Sequence, residues 1–156
     1  MAEIIGITAD HGGRALKARI IEALKSQWEF RDFGSHESDG SVDYPDYAER
    51  LAKAVAHGEV KWGIAICGTG IGMSIAANKV PGIRAALAWS ESTAKLSRQH
   101  NDSNVLCLGE RILDPDEAVQ FAKVWLSTPF DGGRHAPRVA KLEALDRTAC
   151  ENRRSP

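Results

Sequence analysis

A short segment of the sequence, Ile66–Gly72, places a cysteine directly before three glycines at alternate positions. Cys67 is followed by Gly68, Gly70 and Gly72. Where a strand turns into a helix, glycines let backbone amides approach an anion, because no side chain stands in the way. The segment lacks the third glycine of the dinucleotide fingerprint and the Gly-Lys-Ser/Thr of a P-loop, which argues against a nucleotide site. We predict an anion-binding turn, and a tight turn that binds nothing is the alternative that this spacing leaves open.

Cys67 itself has two interpretations. A cysteine at the end of an apolar strand is commonly a buried structural residue. Amides at the start of a helix, however, favour the thiolate form of a cysteine beside them. Because Cys67 stands at the start of the glycine segment, we predict a reactive thiolate there.

Two further segments carry side chains that could take part in acid–base chemistry. Asp10–Gly13 follows the first predicted strand, and His100–Asp102 follows the fourth predicted helix. Ligands of open α/β sheets bind beyond the carboxyl ends of the strands, so we expect both segments to join Cys67 at that edge. Taken singly, His11 and His100 are more typical of surface or packing histidines.

Arg134 and Arg138 are four residues apart in a predicted helix and therefore share one face. Two guanidinium groups in this arrangement can close on a phosphate. The same spacing fits equally well an exposed face that pairs with carboxylates such as Glu143.

The elements that must position these residues are short strands alternating with helices. In the first helical stretch, Leu16, Ile20 and Leu24 recur every four residues and predict a face that packs on a sheet. The predicted strands are Glu3–Thr8, Trp28–Phe33, Trp62–Cys67, Arg84–Trp89 and Asn104–Leu108. The later predicted helices are Tyr47–His57, Ile71–Lys79, Glu91–Gln99, Pro115–Leu126 and His135–Asp146. Strands that are continuously apolar indicate a parallel sheet covered on both faces, so we predict an α/β fold, a three-layer α/β/α sandwich with a five-stranded parallel sheet.

The chain is expected to form a single domain over residues 1–150, followed by a flexible tail at 151–156. The longest irregular stretch is the loop Gly34–Pro45, which is either functional or merely solvated.

Composition excludes several classes of protein. The 156 residues contain 20 Lys and Arg against 21 Asp and Glu, a net charge of −1 that argues against a nucleic-acid or anionic-membrane surface. Three widely spaced cysteines suggest neither a disulfide framework nor a zinc site. The start of the chain does not read as a signal peptide, and no apolar run reaches the length of a bilayer span. We therefore expect a cytoplasmic protein.

Several segments together resemble one family of sugar-phosphate isomerases, the ribose-5-phosphate isomerase B and galactose-6-phosphate isomerase family. They occur in family order and run through nearly the whole chain. The matching segments are Asp10–Gly12, Asp43–Pro45, Ile66–Gly72, Ala76–Lys79, Leu96–Asp102 and Gly132–His135. The resemblance implies a Rossmann-like fold, a homodimer or dimer of dimers, a small sugar phosphate as substrate, and no metal or other cofactor.

The resemblance also implies residue roles. Cys67 would be the base that moves the C2 proton, His100 the acid that opens the sugar ring, and Thr69 an assisting proton carrier. Substrate would be bound by Asp10, His11, Tyr44, Gly68, Gly70, Ile71, Gly72, Asn101, Arg111, Arg134 and Arg138. In the family, the His100–Asn101 segment and Arg111 reach across to the site of the partner subunit.

The implied reaction interconverts ribose 5-phosphate and ribulose 5-phosphate by ring opening and proton transfer through a cis-enediolate. It requires a base, an oxyanion stabiliser and an acid, and the residues above supply all of these. Two alternatives stay open. The first is the same chemistry on allose or galactose 6-phosphate, since a difference of one carbon is worth only about 1–3 kcal/mol in a pocket. The second is a sugar-phosphate binding domain without catalysis.

Overall fold

A parallel sheet of five strands forms the centre of the computed structural model, which describes residues 3–152. The strands are β1 (Ile4–Ala9), β2 (Glu29–Asp32), β3 (Trp62–Cys67), β4 (Ala85–Leu87) and β5 (Val105–Gly109). The α-helices are α1 (Arg14–Leu24), α2 (Tyr44–Ala56), α3 (Ile71–Ala77), α4 (Glu91–Asn101), α5 (Pro115–Ser127) and α6 (Ala136–Asn152). Short 3-10 turns cover Glu37–Asp39 and Gly133–His135. The predicted α/β class and the five predicted strands are confirmed, and β3 has the predicted bounds.

The order of the strands in the sheet is β2-β1-β3-β5-β4, and every neighbouring pair is parallel. The chain leaves β1 toward one edge of the sheet and comes back on its other side as β3. At such a switch point the loops that follow the two strands diverge and leave a crevice at their carboxyl ends. The segments after β1 and β3, Asp10–Gly13 and Gly68–Gly70, border this crevice.

Alternate residues of the central strands fill two hydrophobic cores, one on each face of the sheet. On one face, Ile7 and Ile66 pack with Ile20 of α1 and Trp125 of α5. On the other face, residues of α2 and α3 pack on the strands. This second core contains Leu51, Met73, Ala65, Cys67, Val105 and Cys107. Cys67 and Cys107 therefore share the face covered by α2 and α3.

Several helix ends differ from the prediction, and three of these differences affect the candidate site residues or the tail. Helix α2 begins at Tyr44 rather than Tyr47, because Asp43 is extended and a proline is accommodated in the first turn, where its missing N–H costs nothing. Helix α4 continues to Asn101, so His100 and Asn101 lie in its last turn rather than after it. Helix α6 runs to Asn152, so the tail predicted to begin at residue 151 starts inside a helix, and residues 153–156 lie outside the described part of the chain.

Within residues 3–152, the helices lack the combination of length and apolar character that crossing a bilayer requires.

Candidate active site

Cys67 is the last residue of β3, and only 5% of it is exposed. Its sulfur accepts a hydrogen bond from the backbone N–H of Gly70 over 3.1 Å. Gly70 has the left-handed backbone conformation, with φ of 78°, which turns the chain back over the sulfur before α3 begins. The turn thus holds the sulfur of Cys67 within hydrogen-bond distance of a backbone donor.

The glycines after Cys67 are also required by the packing around them. A Cβ atom at Gly70 would lie 2.6 Å from Leu87 Cδ1, and one at Gly72 would lie 2.8 Å from the ring of Tyr44. Tyr44, 40% exposed at the start of α2, therefore packs directly on the glycine segment. Thr69 is exposed, and its hydroxyl accepts a hydrogen bond from the N–H of Ile71. The segment that follows Cys67 thus carries Thr69 and Ile71, and Tyr44 packs on its end at Gly72.

Asp10 and His11 follow β1 at the same edge of the sheet. Asp10 is buried, and its carboxylate accepts a hydrogen bond from the N–H of Gly12 over 2.8 Å. His11 is exposed, and its Nδ1 lies 3.1 Å from the carbonyl oxygen and 3.2 Å from the amide nitrogen of Val42. The predicted loop of residues 34–45 is therefore not simply solvated, because it holds the imidazole of His11.

Arg111 lies at this edge as well. Its N–H donates to the carbonyl oxygen of Gly68 over 2.9 Å. A Cβ atom at Gly68 would lie 3.0 Å from Arg111 Nη1, and one at Gly12 would lie 3.4 Å from its Nη2. The guanidinium group thus covers the glycine turn of its own chain, whereas the resemblance implies a reach into a partner's site. The reason is local, because the neighbouring Glu110 N–H bonds to the carbonyl of Cys67 and ties the loop after β5 to the loop after β3.

His100 and Asn101 do not join Cys67 within the chain, so this sequence expectation is wrong. A helix that follows a parallel strand runs back along the sheet, and its last turn lies at the amino ends of the strands. Directly after α4, Asn104 accepts a hydrogen bond from the N–H of Gly63, near the start of β3. Four residues of strand separate Gly63 from Cys67, which is about 13 Å at about 3.3 Å per residue.

A buried charged network holds the end of α4. Arg98 is buried, and its guanidinium donates to Asp102 over 2.8 Å and to the carbonyl of Ser103 over 2.6 Å. Asp102 has a positive φ of 46°, which ends the helix. Arg84, directly before β4, donates to the carbonyl of Asn101 over 3.1 Å. These bonds hold the last turn of α4, which carries His100 and Asn101.

Comparison with known proteins assigns a family to this arrangement. The sequence profile of the ribose/galactose isomerase family matches residues 5–142. The chain belongs to the ribose/galactose isomerase family. It is 46% identical to ribose-5-phosphate isomerase B of Escherichia coli over 143 residues, which are 91% of this chain and 95% of that protein.

Solved structures agree with this membership. A Clostridium thermocellum ribose-5-phosphate isomerase B superposes with a TM-score of 0.90 and 50% identity, over 94% of this chain and 99% of that one. Ribose-5-phosphate isomerase B of Mycoplasma genitalium with bound ribulose 5-phosphate superposes with a TM-score of 0.89 and 43% identity, over 94% of this chain and 98% of that one. The predicted family and Rossmann-like fold are thereby confirmed.

In this family member, a second histidine accompanies His100. The rings of His100 and His135 are stacked, with centroids 4.2 Å apart and planes inclined by 14°. Sequence reasoning assigned no role to His135, although it lies in the segment Gly132–His135 that carries the resemblance.

The surroundings of His135 disfavour its protonation. Burial is the largest cause that lowers the pKa of His135 below its ordinary value, and the charge of His100 acts in the same direction. Arg134 and Arg138 add to this effect, whereas Asp131 opposes it. The predicted phosphate-binding arginines therefore lie with His100 at the amino ends of the strands, and not with Cys67.

The same histidines raise the question of a metal ion. One nitrogen of His100, one of His135 and a carboxylate oxygen of Asp131 all lie within 4.8 Å of one another. The lone pairs of imidazole lie in the plane of the ring, and in two nearly parallel stacked rings they do not converge on one point. We therefore assign no metal site to this group.

Proposed function

We propose that the chain is an aldose–ketose isomerase that interconverts ribose 5-phosphate and ribulose 5-phosphate. The observation that carries the proposal is the thiol of Cys67, held by the Gly70 amide at the carboxyl end of β3. Membership of the isomerase family and the similarity to ribose-5-phosphate isomerases B support the choice of substrate.

The proposed proton transfer uses Cys67 as the base. The thiolate removes the proton from C2 of the open-chain aldose and returns it to C1, through an enediolate whose negative charge develops on oxygen. Backbone amides of Gly68–Gly72 stabilise this charge, and one such donor is typically worth about 2.7–4 kcal/mol. Thr69, exposed beside the thiol, assists with a proton on oxygen, while Asp10, His11 and Tyr44 contact the substrate.

The proposed ring opening and phosphate binding use a second group of residues, which lies at the amino ends of the strands. His100 would donate a proton to the ring oxygen, Asn101 would bind a hydroxyl, and Arg134 and Arg138 would bind the phosphate. About 13 Å of strand separates these residues from Cys67. Within one chain, Cys67 and His100 therefore cannot contact the same sugar. We therefore propose a homodimer, or a dimer of dimers, in which these residues complete the partner's site.

Exposed apolar side chains beside both groups support this assembly. Ile71 and Ile75, on α3 next to the glycine turn, are 50% and 57% exposed. Leu142 and Leu145, further along α6 than Arg138, are 43% and 65% exposed. Large apolar side chains gathered beside functional residues are typical of protein–protein interfaces.

We also propose that the enzyme acts in the cytoplasm. Cys67, Cys107 and Cys150 are all free thiols in the described chain, as expected for a reducing compartment. A thiolate base would also need that environment to stay reduced.

The test is a comparison of kcat/KM for ribose 5-phosphate, allose 6-phosphate and galactose 6-phosphate with the purified full-length enzyme. The proposal expects ribose 5-phosphate to be turned over most efficiently. A hexose 6-phosphate with the highest kcat/KM would keep the chemistry and replace the substrate. Tight binding of these sugars without turnover would reject catalysis.

A further inference from the structure

His135 stacks on His100 but has no role in the proposed reaction, and it is more deeply buried than His100. It is 8% exposed, whereas His100 is partly exposed. The backbone N–H of His135 donates to the carbonyl of Gly132 over 2.9 Å, within the short 3-10 turn that precedes α6. The loop before this turn is fastened to α4, because the N–H of Asp131 donates to the carbonyl of Gln99 over 3.1 Å.

The stack therefore connects a fixed ring to a ring that must act on substrate. Without His135, the partly exposed imidazole of His100 at the end of α4 could turn about both of its side-chain bonds. A flat surface 4.2 Å away restricts it to orientations parallel to His135. General acid catalysis requires the proton donor to be within hydrogen-bond reach of the accepting oxygen, so this restriction bears directly on the reaction.

The charges around His135 disfavour a positive charge on its ring. Four charged or titratable groups face it: His100, Arg134, Arg138 and Asp131. Three of them disfavour a cation at His135, and only Asp131 favours one. His135 is therefore better suited to support the neighbouring ring of His100 than to donate a proton itself.

We propose that His135 is a positioning residue whose stacked ring aims the imidazole of His100, the proton donor, at the ring oxygen of the substrate. This inference rests on the proposed isomerase function. In the step concerned, the bond between C1 and the ring oxygen breaks, and the ring oxygen takes the proton of His100. The C1 hydroxyl gives its proton to water as the carbonyl forms, and His100 is reprotonated from solvent.

The test compares His135→Ala and His135→Phe in the full-length enzyme. Phenylalanine keeps a flat ring under His100, whereas alanine removes it. We expect His135→Ala to lower kcat for ribose 5-phosphate by about tenfold to a hundredfold, the usual result of a misplaced catalytic group. KM should change by less than about threefold, and His135→Phe should recover most of the lost kcat.

Two further measurements separate positioning from a general loss of structure. An open-chain phosphorylated hydroxamate, which resembles the enediolate and needs no ring opening, should inhibit His135→Ala and wild type equally. Val139→Ala, a buried truncation one turn further along α6, should lower stability and leave kcat unchanged. If His135→Phe does not fold, His135→Gln takes its place and should exceed His135→Ala in kcat.

Each remaining outcome overturns the inference. His135→Ala with a kcat near wild type removes any role in the reaction. Equal loss of kcat in His135→Ala and the ring-retaining variant rejects stacking, and weaker hydroxamate binding in His135→Ala shows a structural defect. Failure of the proposed function can be distinguished from failure of the inference about His135, because the wild type would then not isomerise ribose 5-phosphate at all.

Discussion

The amide nitrogen of Gly70 lies 3.1 Å from the sulfur of Cys67 and donates a hydrogen bond to it. The bond spans the sharpest part of the turn after β3, where Gly70 has φ of 78°. The hydrogen bond to Cys67 therefore depends on the conformation of the turn. A residue that cannot adopt this φ would move the Gly70 amide away from the sulfur. Two predictions follow from this linkage, one for each residue.

Replacement of Cys67 should remove the base. We expect Cys67→Ala to lower kcat for ribose 5-phosphate by about 10² to 10⁴, the usual contribution of a general base, with a small change in unfolding midpoint. Cys67→Ser should be nearly as inactive, because an alcohol is a much weaker acid than a thiol and gives far less of the anionic base. Steady-state kinetics and urea denaturation provide the measurements.

Cys107 provides the matched control. It lies on the neighbouring strand, on the same face of the sheet, and burial raises its pKa so that it stays a neutral thiol. Cys107→Ala should reduce stability through the cavity it creates and leave kcat unchanged. A Cys67→Ala enzyme that keeps most of its kcat would remove Cys67 from the mechanism.

Replacement of Gly70 by alanine should disrupt the turn for two reasons. The left-handed conformation costs a non-glycine residue about 1–2 kcal/mol, and the new Cβ would lie 2.6 Å from Leu87 Cδ1. Gly82→Ala isolates the first cost, because Gly82 has φ of 85° and nothing within 4 Å of the added Cβ. We expect Gly70→Ala to lose activity and about 1–3 kcal/mol more stability than Gly82→Ala. Equal stability of the two variants would contradict the contact with Leu87.

Arg134 and Arg138 should act on the phosphate. We expect Arg134→Ala and Arg138→Ala each to lower kcat/KM for ribose 5-phosphate. The loss should correspond to about 1.5–3 kcal/mol of binding free energy, the usual contribution of a hydrogen bond to a charged group. Turnover of unphosphorylated ribose should hardly change. Arg147→Ala, an exposed arginine further along α6, is the control and should affect neither sugar. Equal damage to both sugars would assign these arginines a different role.

Complementation should reveal whether two chains share one site. Cys67→Ala and His100→Ala homodimers should each be inactive, and mixing them under conditions of subunit exchange should restore activity. In the mixed dimer, one of the two sites has both functional groups intact. Mass spectrometry verifies the exchange, and mixed dimers without activity would place Cys67 and His100 in one chain's site.

The lowered pKa of His135 predicts a pH dependence of stability. Its pKa in the folded state lies below the unfolded value of about 6.5, so the unfolded chain binds more protons as the pH falls. Stability from this group is present above about pH 6.5 and is lost as the pH falls below that value. Urea denaturation of wild type and His135→Phe from pH 5 to 8 should show a smaller loss for the variant. His57→Gln, at the exposed end of α2, serves as control, and identical slopes for wild type and His135→Phe would contradict the prediction.

The sequence alone was sufficient for the layers of the fold and for the glycine turn that brings backbone amides to Cys67. Local patterns decide these features: continuous apolar strands require a sheet covered on both faces, and the Gly70 turn directly after β3 brings amides to Cys67 without any distant contact. The position of His100 depended on the tertiary structure. The sequence predicted that His100 lies in the crevice at the carboxyl ends of the strands. A helix returns antiparallel to its strand, so the end of α4 lies at the amino ends instead, about 13 Å away. The stack of His100 on His135 likewise joins the ends of elements 35 residues apart in the chain, and only the packing of the loop at Asp131 against α4 brings their rings to 4.2 Å.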